Sequence, residues 1–572
     1  MKKLILISIV SCLLLAGGAF AQELPDTSSA EVQKPSGDQD NPYLEYLLGH
    51  ESEIAGRWEE ALAHYANAMK ADPSARDLRL RVAHLLVKTG RLTEALAAFE
   101  SIVAENPKYI PALMRLGELY NAKKEVDKAI GVYERVLEID PELKEAYLFL
   151  GVLYSSKGDG RKARVVLERL LKRDPENIMA YYYMGSLHLE KKEFAKAREY
   201  FKKGIEINPQ FDAAYVSLAI IGELTSSPKV AEENYKKALA INPHNLFARE
   251  RLTQIYLSGN AYKKAIEELE AILKDAPQNV DLHQRLGLLY MQERDFNKAV
   301  SELQLVLQAR PKDIMPRFYL AIALEEMKRY PEAIEHLKRI ISLDPKHFNS
   351  FMNLAFIYAK LERIDEAAKV YEEVLTFETG KPEAYSYLGN AYTQLKEYEK
   401  AETVLRGALE RFKDNDELYF TTAILFEKTK RFDDMVTYLR KTIALNPKHA
   451  DALNYLGYSF ADKGINLDEA LALIQRAVAL KPDSGYILDS LGWVYFRLGR
   501  FEEALKELKK ALNYTKDDPV LFEHVGDVYE ALGKPDRALS AWQESLKFEK
   551  KEPGLKERVE EKLHRVKPKD KQ

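Results

Sequence analysis

The sequence predicts an all-α solenoid of about fifteen helix–turn–helix repeats, closed by a C-terminal capping helix. Nine prolines stand 34 residues apart, from Pro73 to Pro345, and the same register returns at Pro447. Apolar residues recur at spacings of three and four within each half of the period, which is typical of helices and not of strands. Because a 34-residue helix pair cannot bury its own apolar face, the pairs must stack on one another.

The repeats are predicted over residues 42–552, and each is counted from the third residue after its punctuating proline. A proline at this point ends the second helix, because it lacks an N–H and its φ is restricted. Residues 553–566 carry an apolar stripe on an otherwise charged helix and are predicted to cap the last repeat, ahead of a tail at 567–572. The fifteen repeats are predicted to begin at Pro42, Arg76, Ile110, Lys144, Ile178, Asp212, Leu246, Val280, Ile314, Phe348, Pro382, Asp416, Ala450, Gly485 and Pro519.

Within each repeat the eighth residue is small and the twentieth is alanine with few exceptions, as in Gly117 and Ala129. The twenty-fourth residue is bulky, as in Tyr133. Small residues opposite large ones predict that the two helices of a repeat pack closely. One departure, from Gly222 to Pro228 in the sixth repeat, predicts an early end to the first helix and a local loop.

The third repeat shows the whole pattern: it reads ALMRLGELY over residues 112–120 and continues with Ala129, Tyr133 and Pro141. This pattern resembles the tetratricopeptide repeat family, and the resemblance covers about residues 42–550. It implies a right-handed superhelical solenoid whose concave groove receives proteins or peptides. It also implies that positions 2, 5, 9 and 12 of each first helix face that groove.

The N-terminus is predicted to be a separate element. Lys2 and Lys3 precede an apolar run, and an A-x-A site ends at Ala21, so residues 1–21 are expected to be a secretory signal peptide followed by a flexible leader at 22–41. The chain is then exported, with a periplasmic location and possible association with the outer membrane. Cys12 lies inside the signal. A lipoprotein box around Cys12 would make it a lipid anchor, so soluble and anchored forms both stay open.

The composition and the absence of known motifs argue against several classes of function. The net charge of -4 shows no excess of the basic residues that a nucleic-acid-binding face requires. The sequence contains no H-E-x-x-H, G-x-x-x-x-G-K-[ST] or G-x-S-x-G motif, and the repeats leave no stretch long enough for a catalytic domain. Past the signal, no apolar run is long enough for a transmembrane span. We therefore expect no enzyme, no cofactor and no metal site.

The residues implied to face the groove differ along the chain. In the middle repeats they are apolar, which predicts a hydrophobic groove; packing between the protein's own helices is the alternative. In the C-terminal repeats they are polar and aromatic, a set suited to a peptide backbone. Position 5 is never basic, which argues against a clamp for acidic C-terminal carboxylates. The apolar candidates are Met179, Tyr182, Met315, Phe318, Met352 and Phe356, and the others are Asn390, Asn454, Tyr458, Tyr486, Asp489 and Trp493.

Two segments in the C-terminal repeats go beyond the generic repeat. They read NYLGYSFADKG at residues 454–464 and DSLGWVY at residues 489–495. Both are similar to a block in exported bacterial tetratricopeptide proteins, among them outer-membrane lipoprotein adaptors that deliver cell-wall hydrolases to carboxyl-terminal processing proteases. The resemblance implies a protein-binding adaptor of the cell envelope. A scaffold for exopolysaccharide synthesis or export, or for outer-membrane assembly, is the alternative.

Overall fold

The computed structural model describes residues 41–566, and every regular element in that range is helical. The all-α fold class is therefore confirmed. The predicted signal peptide with Cys12, nearly all of the predicted leader and the predicted tail lie outside the described residues. The chain divides into two compact units, Met1–Ala248 and Arg249–Gln572, with the division inside one helix. Each unit is a succession of antiparallel helix pairs.

The first unit contains the first six repeats and the start of the seventh. Its helices are α1 Pro42–Ile54, α2 Trp58–Ala68, α3 Arg76–Lys88, α4 Leu92–Glu105, α5 Ile110–Ala122, α6 Val126–Ile139, α7 Lys144–Ser156, α8 Gly160–Arg173, α9 Ile178–Glu190, α10 Phe194–Ile207, α11 Asp212–Leu224 and α12 Pro228–Ile241, and it ends within α13 Leu246–Ser258.

The second unit contains the remaining repeats and one further helix. Its helices are α14 Tyr262–Asp275, α15 Val280–Gln292, α16 Phe296–Ala309, α17 Ile314–Glu326, α18 Tyr330–Leu343, α19 Phe348–Lys360, α20 Ile364–Phe377, α21 Pro382–Gln394, α22 Tyr398–Arg411, α23 Asp416–Lys428, α24 Phe432–Leu445, α25 Ala450–Lys463, α26 Leu467–Leu480, α27 Gly485–Arg497, α28 Phe501–Tyr514, α29 Pro519–Ala531, α30 Pro535–Leu546 and α31 Leu555–Val566. A short 3₁₀ turn, Glu549–Lys551, precedes the last helix.

The odd-numbered helices from α1 to α29 begin at the fifteen residues that the sequence marks as repeat starts. In the first six repeats and in the eighth to the fifteenth, the odd-numbered helix packs against the even-numbered helix that follows. Successive odd-numbered helices also contact one another, as α7 does with α9 in the first unit and as α25 does with α27 and α27 with α29 in the second. In each unit, the odd-numbered helices that contact one another in this way lie in one layer, and the functional site described below lies on that layer of the second unit.

The small and large residues of each repeat meet as the spacing predicts. A Cβ built on Gly117 would lie 2.7 Å from the ring of Tyr133, and one built on Gly185 would lie 2.7 Å from the ring of Phe201. These distances are far below van der Waals contact, so an alanine at either glycine would displace the aromatic ring. Both rings are buried, and so is Ala129, one turn before Tyr133 in the same helix. The glycines therefore set the spacing between the two helices of a repeat.

The turn inside each repeat uses a left-handed residue that the sequence pattern did not reveal. In the third repeat it is Lys124, with φ of 64°, and the N–H of Glu125 donates to the carbonyl of Tyr120 at 2.8 Å. In other repeats glycine takes this place, as Gly158 does with φ of 85°. Because a side chain disfavours positive φ, the non-glycine turns carry a conformational cost. Other non-glycine examples are Lys192, Ser226, Asn260, Arg294, Lys328, Glu362, Lys396 and Lys430.

The prediction for the sixth repeat is wrong. Helix α11 runs through Gly222 and has 13 residues, as many as α9. The glycine does not end the helix; a Cβ there would lie 2.8 Å from the backbone nitrogen of Ala231 in α12, so it allows a close approach between the two helices. The thirteenth repeat does absorb an extra residue, since α25 has 14 residues and both Gly464 and Asn466 then take positive φ.

Helix α31 covers the end of the last repeat. Leu555 and Val559 are fully buried, in one cluster with Ala538 and Trp542 of α30. Lys562 of α31 adds ion pairs to two carboxylates of α29. The contacts are those of the capping helix that the apolar stripe predicts. Over residues 41–566, no helix is long and apolar enough to cross a membrane.

Candidate functional site

In the first unit, the two predicted groove residues belong to helix packing. Tyr182 of α9 is buried, and its ring contacts those of Phe201 and Phe211. Met179, one turn earlier, is half-buried against the same core. This is the alternative that the sequence left open for the apolar candidates.

In the second unit, the four apolar candidates fall into two classes. Phe318 and Met352 are half-buried against the core. Met315 of α17 is 50% exposed and Phe356 of α19 is 47% exposed. The ammonium of Lys360 lies 4.4 Å from the centre of the Phe356 ring. Met315 and Phe356 are therefore the apolar candidates accessible to a partner.

The polar candidates of the C-terminal repeats come together. Asn454 and Tyr458 of α25 and Tyr486 and Asp489 of α27 line one open cleft of about 800 Å³. We call it the C-terminal cleft. Its floor consists of α25, α27 and the start of α29, three odd-numbered helices of one layer. Asn390 is exposed on α21 and does not line this cleft.

Other residues of the C-terminal cleft were not predicted. Some of these residues stand at groove positions of the same helices as the predicted residues. The repeat spacing could therefore have predicted them. Lys551 and Glu552 are the last two residues of the fifteenth repeat and lie between α30 and α31, at positions that the groove pattern does not include. The additional lining residues are Phe420, Asp451, Tyr455, Ser490, Thr515, Asp517, Asp518, Pro519, Val520, Lys551 and Glu552.

Asp451 joins the two central helices of the cleft. Its carboxylate accepts a hydrogen bond from the hydroxyl of Tyr486 at 2.5 Å and pairs with the ammonium of Lys481 at 2.8 Å. Burial opposes ionisation, but these two donors outweigh it and lower the pKa of Asp451. The hydrogen bond fixes the Tyr486 side chain, which is 48% exposed at the cleft. Tyr486 is thus a preorganised aromatic contact for a ligand.

Asp489 is held by His524, a residue that the repeat pattern does not single out. The Nδ1 atom of His524 in α29 lies 2.9 Å from Oδ1 of Asp489, and both side chains are buried. Burial disfavours the charged imidazole, but Asp489 outweighs burial and raises the pKa of His524. The ring of Trp493 stacks on His524 with centroids 4.1 Å apart. Trp493 therefore supports the cleft from behind and does not line it.

Asn454 is the polar group of the cleft that most needs a ligand. Its side chain is 8% exposed, and its Oδ1 atom has no hydrogen-bond partner among the described residues. A buried acceptor without a partner costs about 1–3 kcal/mol. The oxygen is shielded from solvent, so an N–H or O–H donor in the cleft reaches it when the Asn454 amide rotates, and the hydrogen bond would then recover that free energy. No group of three or more His, Cys, Asp or Glu within residues 41–566 is placed to hold a metal ion.

Several family models match the chain. Models described as tetratricopeptide repeat match residues 54–108, 86–148, 122–187 and 227–287, residues 178–211, and residues 420–485. A model described as TPR repeat matches residues 492–533. A model described as the tetratricopeptide repeat protein 21 C-terminal ARM domain matches residues 278–452. These segments include α25, α29 and the second half of α27 at the floor of the C-terminal cleft.

The chain is also similar to individual proteins. A TPR repeat-containing protein of Pseudomonas aeruginosa is 43% identical over 81 residues, and the match spans 14% of this chain and 14% of that relative. The APC/C hetero-tetramer Cut9-Hcn1 is 14% identical with a TM-score of 0.38, covering 92% of this chain and 96% of that chain. Yeast Tom70 is 20% identical with a TM-score of 0.36, covering 81% and 96%. MamA of Desulfovibrio magneticus RS-1 is 22% identical with a TM-score of 0.28, covering 30% and 97%.

Proposed function

Because this chain is a tetratricopeptide repeat protein, we propose that it is a protein-binding scaffold whose C-terminal cleft receives a segment of a partner protein. The observation that carries the proposal is the unpartnered Oδ1 of Asn454 in the wall of an open cleft. An asparagine amide can accept from a peptide N–H and donate to a peptide carbonyl. The rings of Tyr458 and Tyr486 lie on the same wall and supply apolar contact area.

The proposal includes no catalysis by this chain. Two carboxylates of the cleft position neighbouring side chains: Asp489 holds His524, and Asp451 holds Tyr486 and Lys481. A scaffold of this kind contributes by bringing proteins together.

We further propose that the chain is exported to the periplasm and acts as an adaptor in the cell envelope. The signal-like residues 1–21 support export. The segments at 454–464 and 489–495 support an adaptor that brings cell-wall hydrolases to a carboxyl-terminal processing protease. A scaffold for exopolysaccharide synthesis or export, or for outer-membrane assembly, is the second candidate. Processing at Cys12 would anchor the adaptor to lipid.

Affinity purification of the tagged chain from an envelope extract of its source cells separates these candidates. Recovery of a processing protease together with a hydrolase supports the adaptor role. Recovery of polysaccharide synthase or export subunits in their place refutes it and supports the second candidate. N-terminal sequencing of the purified chain reports cleavage: a start at Gln22 supports the soluble form, and a lipid-modified Cys12 supports the anchored form.

Paired variants identify which surface binds the recovered partner. Asn454→Ala with Trp493→Ala removes an amide from the C-terminal cleft and the ring behind it. Met315→Ala with Phe356→Ala removes the exposed apolar residues of α17 and α19. We expect only the first pair to weaken binding while the circular dichroism of both stays helical. If only the second pair weakens binding, the partner uses the apolar surface and the cleft proposal is wrong.

A further inference from the structure

We propose that the C-terminal cleft is selective for a basic segment of the partner, and for arginine in particular. This inference rests on the proposed function and specifies the chemistry of the segment that binds. It follows from the charges that line the cleft, from the buried acceptor of Asn454 and from the aromatic walls.

The cleft is lined by more carboxylates than cations. Asp451, Asp489, Asp517, Asp518 and Glu552 all line it, whereas Lys551 is its one lining cation within the described residues. Three of the carboxylates have a basic partner: Lys481 pairs with Asp451, His524 with Asp489 and Lys551 with Asp517.

Two carboxylates remain without a cation. Asp518 accepts hydrogen bonds from the backbone N–H groups of Val520 and Leu521, at 2.9 and 3.3 Å, and so caps α29. Neither Asp518 nor Glu552 forms an ion pair with any residue in the range 41–566. Asp518 is the last residue of the fourteenth repeat and Glu552 is the last residue of the fifteenth. The charge of Arg558 acts on Glu552, but Arg558 forms its ion pair with Glu523. The carboxylates that line the cleft therefore outnumber its cations, and these two can pair with a cation of the ligand.

Asn454 points to the same kind of ligand independently of the charges. Its unpartnered Oδ1 is an acceptor and needs a hydrogen-bond donor. A guanidinium carries five N–H donors and no acceptor, so it can satisfy this oxygen and a carboxylate at once. An acidic segment would add acceptors to a wall that already has an excess of them.

The aromatic walls favour arginine over lysine. Phe420, Tyr455, Tyr458 and Tyr486 all line the cleft. The planar guanidinium stacks on aromatic faces and is more weakly hydrated than an ammonium, so it loses less on entering a partly enclosed site. Aromatic faces, carboxylates and the unpartnered oxygen of Asn454 together form the kind of site that binds an arginine-containing peptide.

The test uses the purified chain and an array of immobilised random-sequence decapeptides. We expect bound peptides to be enriched in arginine, less so in lysine, and depleted in aspartate and glutamate. The strongest binders are then resynthesised with a fluorescent label, and their affinity is measured by fluorescence anisotropy. Asn454→Leu removes the acceptor and keeps a similar side-chain volume. Asp518→Asn with Glu552→Gln removes both unpaired charges, and asparagine retains the helix cap.

Each variant has an expected result. The charge variant should weaken binding of the basic peptides by about twofold to thirtyfold, as two partly exposed ion pairs would. Asn454→Leu should also weaken it. A control that removes two exposed carboxylates elsewhere, Glu373→Gln with Glu410→Gln, should leave affinity unchanged. Equal losses in the control and the charge variant would mean that only the net charge matters, which overturns the inference.

The test distinguishes failure of this inference from failure of the proposed function. If peptides bind in a manner sensitive to Asn454→Leu but show no preference for arginine or lysine, the cleft is a peptide site and the charge inference is wrong. If no bound peptide is sensitive to Asn454→Leu or to the charge variant, the cleft is not a peptide site and both are wrong.

Discussion

Replacing Gly389 of α21 by alanine should destabilise the eleventh repeat, whereas the same change at Gly407 of α22 should stabilise it. A Cβ on Gly389 would lie 2.6 Å from both Cγ and Cδ2 of Leu405. Carbon atoms in contact are about 3.5–4.0 Å apart, so Leu405 would have to move by about 1 Å. Leu405 is fully buried, so such a movement would press it against neighbouring side chains of the core. A Cβ on Gly407 would meet nothing within 4 Å.

The magnitudes follow from two opposing effects. Alanine is favoured over glycine in a helix interior by about 1 kcal/mol, and this gain applies to both variants. Overpacking a buried site costs about 1–3 kcal/mol, and this applies to Gly389→Ala alone. The two variants should therefore differ by about 1–3 kcal/mol in the local free energy of unfolding. Because both glycines belong to one repeat, the same opening reaction reports on both.

Hydrogen exchange of the α21 and α22 amides is the appropriate measurement, since a long array does not unfold in one step. Exchange in Gly389→Ala should be faster than in Gly407→Ala by about fivefold to 150-fold. In a Leu405→Ala background the space beside Gly389 is open, and the difference between the variants should largely vanish. Equal protection of the two variants in the native background would refute the steric argument.

Three further predictions concern other parts of the fold. Ala299→Leu should overpack α16 and lower the free energy of unfolding by about 1–3 kcal/mol, and an unchanged melting curve would contradict the assigned spacing. Lys192→Gly should stabilise its turn by about 1 kcal/mol, because Lys192 has a positive φ of 60°. Lys191→Gly should give no such gain, because Lys191 has φ of -81°. Thermal melting of both variants measures the difference. Asp489 raises the pKa of His524 above its ordinary 6.5. The ion pair between them should therefore stabilise α27 and α29 most below pH 6.5, where the imidazole is charged. This stabilisation should be lost as the pH rises through the raised pKa. Hydrogen exchange of these helices across that range should show the loss, and Asp489→Asn should abolish it.

The close packing inside each repeat could be predicted from the sequence because it depends on residues at constant spacing. Gly117 and Tyr133 face each other as the pattern requires. The turn residues could not be predicted, because Lys124 and Gly158 occupy equivalent turns with unlike side chains and share only a positive φ. Gly222 was misread for a related reason: glycine both ends helices and lets them approach, and only the position of α12 shows which applies.

For the candidate site, the repeat spacing indicated which residues lie on the same face of their helices, but it did not indicate which of them are exposed. Asn454 and Asp489 stand at the same position of consecutive repeats and do line one cleft. Trp493 also stands at a groove position, yet its ring stacks on His524 of the next repeat. The exposure of a residue depends on side chains that arrive from a neighbouring repeat, and the repeat pattern does not specify those.

The sequence by itself therefore determined the repeat length, the helix starts and the packing of each helix pair, because these follow from a periodic pattern of size and polarity. Only the tertiary structure decided which of the twelve groove candidates are accessible to a partner and which are packed inside the protein. It buried Tyr182, exposed Phe356 and gathered Asn454, Tyr458, Tyr486 and Asp489 in one cleft with Glu552, the last residue of the fifteenth repeat. The physical reason is that a binding site needs side chains from several repeats at one place, and their convergence depends on how the repeats stack.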